Sequence, residues 1–230
     1  MRFILIPGLW LAADSWGDVP DLLRKAGHEA HALTLPGLES RDAGRAGLGL
    51  DDHLAAVLAA VEEDPEPAVV VGHSAAATLA HLAADAWPDS VARTVMIGGM
   101  PAGEGSPFLE GFAADGDDVP FPGWAAFESE DVRDLDDEAR AGLEAIMRPS
   151  PAGVLETPVT YRDARRHQVP VTLVCPEFTV EDARQWMAAG FMPELAAGDD
   201  VELVDIDSGH WPQVTRPAEL SAILAAAGSR

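Results

Sequence analysis

The sequence predicts an α/β fold: a doubly wound, mostly parallel sheet with one inserted excursion. Three observations carry that prediction. Short apolar runs rich in β-branched residues alternate with segments of helical period along most of the chain. The run Ala68-Val69-Val70-Val71 is too uniformly apolar for a half-exposed strand and suits a parallel strand covered on both faces. It ends in Gly72-His73-Ser74, and an Ala-rich helical segment follows at once, which places Ser74 on a sharp strand-to-helix turn.

Composition sets the outer limits. The chain has 230 residues, 47% of them hydrophobic, enough for one well-buried domain over 1–230. Its 15 basic and 39 acidic residues give a formal charge of −24. Phosphate contacts need clustered Lys and Arg, so the charge argues against a nucleic-acid partner and against an anionic membrane. The single cysteine, Cys175, excludes an intrachain disulfide and sits in an apolar run as a small core residue. Met1 to Gly8 enters a strand-like segment with no signal-peptide layout, and no apolar run approaches ~18 residues. The expectation is a cytoplasmic protein.

In chain order, Phe3 to Ile6 is a short buried strand broken by Pro7-Gly8. Asp14 or Ser15 caps a helix carrying Trp16, Val19, Leu22, Leu23 and Ala26 inward, and Gly27 ends it. Glu29 to Leu35 alternates as a strand and Pro36-Gly37 closes it. Asp51 or Asp52 caps the next helix, in which Leu50, Leu54, Val57, Leu58 and Val61 share one face. The central strand and the helix after Ser74 follow, then a strand from Val91 to Ile97 and the turn Gly98-Gly99-Met100-Pro101.

From about 102 to 168 the alternation lapses. This segment has Pro, Gly, five Trp or Phe residues and dense acid, with a helix around Asp131 to Met147, and reads as an inserted cap rather than a loop. Its acidic cluster reads as a solvated face, and its aromatics as packing onto the core or lining a pocket. The alternation then resumes. Val169 to Cys175 is a strand, Glu181 to Ala189 a helix, Val201 to Ile206 the last strand, and Pro217 opens a final helix that Gly228 ends.

Right-handed crossovers put every strand's carboxyl end on one rim, which brings three loops together: those after Ile6, at Ser74, and around His210. Serine is a weak nucleophile without a base. Of seven histidines, His210 alone follows the last strand in a Gly-His loop, downstream of Ser74 as the order nucleophile, acid, base requires. His73 flanks the nucleophile and reads as support for the turn. An oxyanion needs two fixed N–H donors. Ala75 at the helix start offers one, and Leu9, after Gly8, is the candidate for the other. The acid that would orient His210 stays open among Glu177, Asp182 and Glu104.

With Gly72-His73-Ser74, Pro7-Gly8-Leu9-Trp10 and Ser208-Gly209-His210 in place, the chain resembles an α/β-hydrolase over essentially its whole length. More narrowly it is similar to the branch of methyl esterases and hydroxynitrile lyases. Trp10, Trp16, Gly99-Met100-Pro101, Arg148-Pro149-Ser150-Pro151 and Glu156-Thr157-Pro158-Val159 carry that likeness. The resemblance implies Ser74 as nucleophile, His210 as base, the Leu9 and Ala75 amides as oxyanion hole, and no cofactor or metal. Pro7 stands where the family usually has His, Ala76 where it has Gly, and Phe178 or Thr179 where its Asp is expected. Trp211 replaces the Lys that the lyases carry after the base, which argues against cyanohydrin cleavage. The expected activity is hydrolysis of a small or medium apolar ester through an acyl-enzyme. The alternatives are a lyase or cyclase using the same Ser-His pair for proton transfer, and a ligand-binding protein on a hydrolase scaffold.

Overall fold

A computed structural model of the chain, describing residues 1–229, places six strands in one parallel sheet. The chain forms β1 (Arg2–Ile6), α1 (Val19–Lys25), β2 (Glu29–Ala32), α2 (Leu50–Glu62), β3 (Ala68–His73), α3 (Ala76–Ala86) and β4 (Val91–Ile97). The excursion holds β5 (Asp118–Val119), α4 (Asp137–Ile146), β6 (Ser150–Pro151) and α5 (Ala152–Glu156). After it come β7 (Val171–Cys175), α6 (Val180–Ala188), α7 (Pro193–Ala196), β8 (Val201–Asp205), α8 (Pro212–Thr215) and α9 (Pro217–Ala227).

The sheet order is β2-β1-β3-β4-β7-β8. The chain moves outward from β1 to β2, then returns past β1 to β3. The winding therefore reverses between β1 and β3, and a crevice opens beyond their carboxyl ends. The register pairs Ile6 with Gly72 and His73 with Ile97, so the loops leaving all three strands meet there.

Alternation of side chains divides the core. Phe3, Leu5, Val69, Val71, Val95 and Ile97 pack beneath Val19 and Leu23 of α1 and Leu220 and Leu224 of α9. Ile4, Ile6 and Val70 face Val57 and Val61 of α2 and Leu79 and Ala83 of α3. Farther along the sheet, Met96 and Leu173 pack with Ala183, Met192 and Leu195 around α6 and α7. Both faces of β3 are thus covered, which is why its sequence shows no polar alternation. Helix α3 is buried from Ala76 through Asp85, and its small side chains let it lie close against β3 and β4.

Several boundaries differ from the sequence reading for identifiable reasons. The first helix begins at Val19 rather than at Asp14 or Ser15. Residues Ala13–Trp16 form a separate 3₁₀ turn that Gly17 breaks at φ 48°. β2 ends at Ala32, and Thr34 instead accepts the Ala13 N–H through Oγ1 at 3.3 Å. Helix α2 is capped at Gly49, whose N–H donates to Asp52 Oδ2 at 2.8 Å, so neither Asp51 nor Asp52 is the cap. Its other end is held by the buried Arg2, whose guanidinium donates to the Ala60 and Val61 carbonyls at 2.6 and 2.7 Å. Helix α4 starts at Asp137 because Asp136 accepts the Ala139 N–H and fixes its first turn.

The excursion closes over the rim. Phe108 is buried in the core, while Phe112, Phe121 and Phe127 meet Trp10 edge-on at 4.9, 5.4 and 6.1 Å between ring centres. Trp211 joins the same cluster through Trp124 and Phe127. Asp85 ties the base of the excursion to α3, accepting the Arg162 and Asp163 amides at 2.8–2.9 Å.

Candidate active site

Ser74 has φ 56°, a left-handed conformation that a non-glycine residue adopts only when its surroundings enforce it. Its N–H donates to the Ile97 carbonyl at 2.8 Å. The turn closes tightly around it. A Cβ on Gly72 would run into the Ala76 carbonyl, and one on Gly99 into the Ser74 carbonyl. Ala76 fits in its own place, buried against the core. Gly8 approaches from β1, where a Cβ would lie 2.8 Å from His73 Nδ1 and 3.2 Å from Ser74 Cβ.

The loop after β1 makes a turn, with Leu11 N–H donating to the Gly8 carbonyl at 3.3 Å. Trp10, its third residue, has φ 63°, where glycine is usual. Three hydrogen bonds hold Trp10 there: its N–H to Ser150 Oγ at 2.9 Å, its indole N–H to the Val119 carbonyl at 3.0 Å, and its carbonyl from Arg148 N–H at 2.8 Å. Every one of these partners belongs to the excursion, so the excursion sets the orientation of the Leu9–Trp10 segment. The Leu9 and Ala75 amides take part in no hydrogen bond among the described residues and remain free for a ligand.

His210 Nδ1 lies 2.8 Å from Glu177 Oε1, both side chains largely buried. Of the three open acids, the structure brings Glu177 to His210. Asp182 is spent on α6, accepting the Thr179 N–H at 3.0 Å and its hydroxyl at 2.6 Å. Glu104 accepts the Tyr161 N–H at 2.7 Å, away from the site. Thr179 caps α6. Phe178 packs on Trp186, 5.0 Å between ring centres.

The backbone of His210 is held at both ends. Its N–H donates to the Asp131 carbonyl at 2.7 Å, and its carbonyl receives His73 Nε2–H at 2.7 Å. Burial, with the neighbouring His210 ring, pushes the His73 pKa down to about 3, so His73 is neutral. With its proton on Nε2, its Nδ1 can accept from Gln213 Nε2 at 3.4 Å. His73 is thus support for the His210 loop. Gly98, at φ 57°, lies under the pair, where a Cβ would come within 3.1 Å of Glu177 Oε2 and 3.2 Å of His210 Nδ1.

Asp131, Gln213 and Gly98 were not singled out from the sequence. The double glycine after β4 was the one available signal, since two glycines at a strand's carboxyl end mark a close approach of backbone. Asp131 and Gln213 carry no local motif and reach the site only through the fold.

Ser74 and His210 line a pocket of about 40 Å³ with Leu9, Trp10, Phe112 and Trp211. A second, smaller pocket of about 20 Å³ lies beyond Leu9 and Ala75, walled by Leu38, Leu79, Phe108 and Leu155. Two groups have the donor types of a metal site. In Asp131, Glu177 and His210, one donor atom from each lies within 4.8 Å of the others. There the His210 nitrogen is already engaged by Glu177. In His81, His167 and Glu194, the shared Glu194 Oε2 also receives Arg166 Nε at 2.9 Å, so the guanidinium occupies the cation's place.

The sequence profile of the alpha/beta hydrolase family matches residues 3–223. No curated protein matches the chain by sequence. Among solved structures, an extracellular α/β-hydrolase from a Paenibacillus species superposes with a TM-score of 0.78 at 16% identity, over 99% of this chain and 98% of that one. That protein is described as sharing structural and functional homology with tobacco salicylic acid binding protein 2. A pyrethroid hydrolase from Sphingobium faniae JZ-2 gives 0.77 at 17% identity over 100% and 97% of the two chains. The Arabidopsis methylesterase MES16 gives 0.74 at 17% identity over 100% and 99%. At these identities the likeness establishes the fold.

Proposed function

The chain belongs to the alpha/beta hydrolase family, and on that premise we propose that it is a serine-dependent carboxylic ester hydrolase acting on small or medium apolar esters. The observation that carries this reading is the 2.8 Å contact of Glu177 with His210 Nδ1, on a rim shared with the strained Ser74. Membership in the family supports hydrolase chemistry, and the geometry of the site supports the residue roles.

Glu177 accepts the Nδ1–H of His210, leaving Nε2 unprotonated as the base. Ser74 Oγ attacks the ester carbonyl carbon while His210 Nε2 takes the serine proton. The carbonyl oxygen becomes an oxyanion received by the Leu9 and Ala75 N–H groups. Collapse of the adduct breaks the bond to the alcohol oxygen, and His210 returns its proton to that oxygen. Water then attacks the acyl-Ser74 ester by the same route and releases the acid. The segment 102–168 serves as a cap: its aromatic residues wall the pocket and Asp131 holds the His210 loop.

Rapid mixing with an aryl acetate tests the reading. The expected result is a burst of aryl alcohol proportional to enzyme, lost in Ser74→Ala and His210→Ala. Glu177→Gln should retain the burst chemistry but lower kcat by about 10²- to 10⁴-fold. Turnover undiminished in Ser74→Ala would overturn it.

A further inference from the structure

We propose that Asp131 is a positioning residue of the site: a second carboxylate, carried by the excursion, that faces His210 beside Glu177 and favours its charged form as the serine proton arrives. The assignment rests on the ester-hydrolase reading above and adds a residue to its machinery.

Two carboxylates converge on one imidazole. Glu177 Oε1 lies 2.8 Å from His210 Nδ1, and one donor atom each from Asp131, Glu177 and His210 lies within 4.8 Å of the other two. The acids come from separate parts of the fold, Glu177 from the loop after β7 and Asp131 from the excursion. Asp131 is half-buried, and the Glu128 N–H donates to its Oδ2 at 2.9 Å, which fixes the side chain. No Lys or Arg pairs with either acid among the described residues; Arg133, two positions on from Asp131, turns to Asp207 and Glu130 instead. Glu177 Oε2 is buried and has no hydrogen-bond partner.

Two like charges with no fixed cation repel while His210 is neutral, and the repulsion is relieved when His210 becomes imidazolium. Burial, with Glu177 adding to it, raises the Asp131 pKa, while the Glu128 N–H and His210 pull it back. When Ser74 gives up its proton, the positive charge that forms on His210 therefore lies beside two negative groups. That stabilisation is larger in the transition state than in the resting enzyme, which is the condition for accelerating the step. The other ionisable groups around the His210 loop are occupied or uncharged. His73 from β3 is neutral, Asp134 accepts the Ser208 hydroxyl, and Asp207 pairs with Arg133. The backbone carbonyl of Asp131 takes the His210 N–H separately, and any residue at 131 supplies that carbonyl, so substitution isolates the side chain.

The test is the pH profile of kcat/KM on p-nitrophenyl acetate from about pH 5 to pH 9 in the parent, Asp131→Asn and Asp131→Glu. Asparagine keeps the shape and can accept the Glu128 N–H, so the charge alone is removed. Loss of a negative neighbour makes the imidazole less basic. Asp131→Asn should therefore lower the plateau about three- to tenfold and move the acid limb to lower pH by about 0.5 to 1 unit. Asp131→Glu, which restores the charge, should return the limb toward its parent position. Asp131→Ser, also neutral and able to accept the Glu128 N–H, carries the measurement if the Asn variant folds poorly. A lower plateau with an unmoved limb in the neutral variants, or an unchanged profile, would overturn the proposal and leave the hydrolase intact. Absence of turnover in the parent, with no labelling of Ser74 by a fluorophosphonate, would overturn the hydrolase reading and this role with it.

Discussion

Position 74 carries a backbone conformation that its own side chain disfavours, and its neighbours are chosen to impose it. Gly72 and Gly99 leave no room for a Cβ on either side of the turn, and Gly8 closes the third. Gly99→Ala should therefore do two things. It should cost about 2–4 kcal/mol in urea unfolding, since backbone rather than a flexible side chain must yield. It should also remove the acyl burst, because the Ser74 carbonyl is the group displaced. A variant as stable and as active as the parent would show that the turn is looser than the structure makes it. At this scale Ser74 and His210 were legible because each sits in a local motif. Glu177 was one of three open acids. What separates it from Asp182 is that Thr179 captures the Asp182 side chain for a helix cap, and what removes Glu104 is the Tyr161 amide.

Among the elements, the segment from Asp131 to Asp134 acts as a strap across the His210 loop. Asp131 takes the His210 N–H, Asp134 Oδ2 takes the Ser208 hydroxyl at 3.1 Å, and Arg133 donates to Asp207 at 2.8 Å and to the Ser208 carbonyl at 2.9 Å. Gly209 is required because a Cβ there would strike the Asp131 carbonyl. The Arg133–Asp207 pair is solvent-exposed, so it adds little to stability. Arg133→Ala should accordingly lower kcat several-fold while shifting the thermal midpoint little. A large drop in stability with unchanged kcat would assign the strap to folding instead. Strand and helix identities were readable from period and length, and β4 was read with its observed bounds. The strap was not. It lies in an acidic stretch whose composition says only that it is solvated, and its partner loop is more than 70 residues away. The first helix was misplaced for a different reason: Trp16 fits the apolar period, but Gly17 turns left-handed and splits the segment.

The whole molecule keeps several histidines neutral and buried, and this fixes its response to acid. Burial lowers the pKa of His53 and His81, and lowers that of His73 to about 3 from 6.5. Glu194, opposed by burial but held by His81, Arg166 and His167, is also lowered from 4.5. All four groups bind fewer protons folded than unfolded. Their contribution is fully present above the unfolded values and is lost as pH falls through the window below them. Stability should hold above about pH 6.5 and then decline, with His73 alone contributing about 1.4 kcal/mol per pH unit toward pH 3. His73→Gln, which keeps a donor for the His210 carbonyl, should show a shallower decline between pH 7 and pH 5. Equal slopes in the two proteins would contradict a neutral, buried His73. The parallel sheet, its winding and the rim that gathers the site follow from patterns spread along the sequence, whereas the packing of the excursion onto Trp10 and His210 depends on contacts that no local pattern encodes. Intact-mass analysis after treatment of the folded protein with a fluorophosphonate shows whether Ser74 is the nucleophile of a hydrolase. One adduct per chain is expected, mapped to Ser74 and abolished by Ser74→Ala; a folded protein that takes up no adduct, or takes it up equally in Ser74→Ala, would rule out Ser74 as that nucleophile.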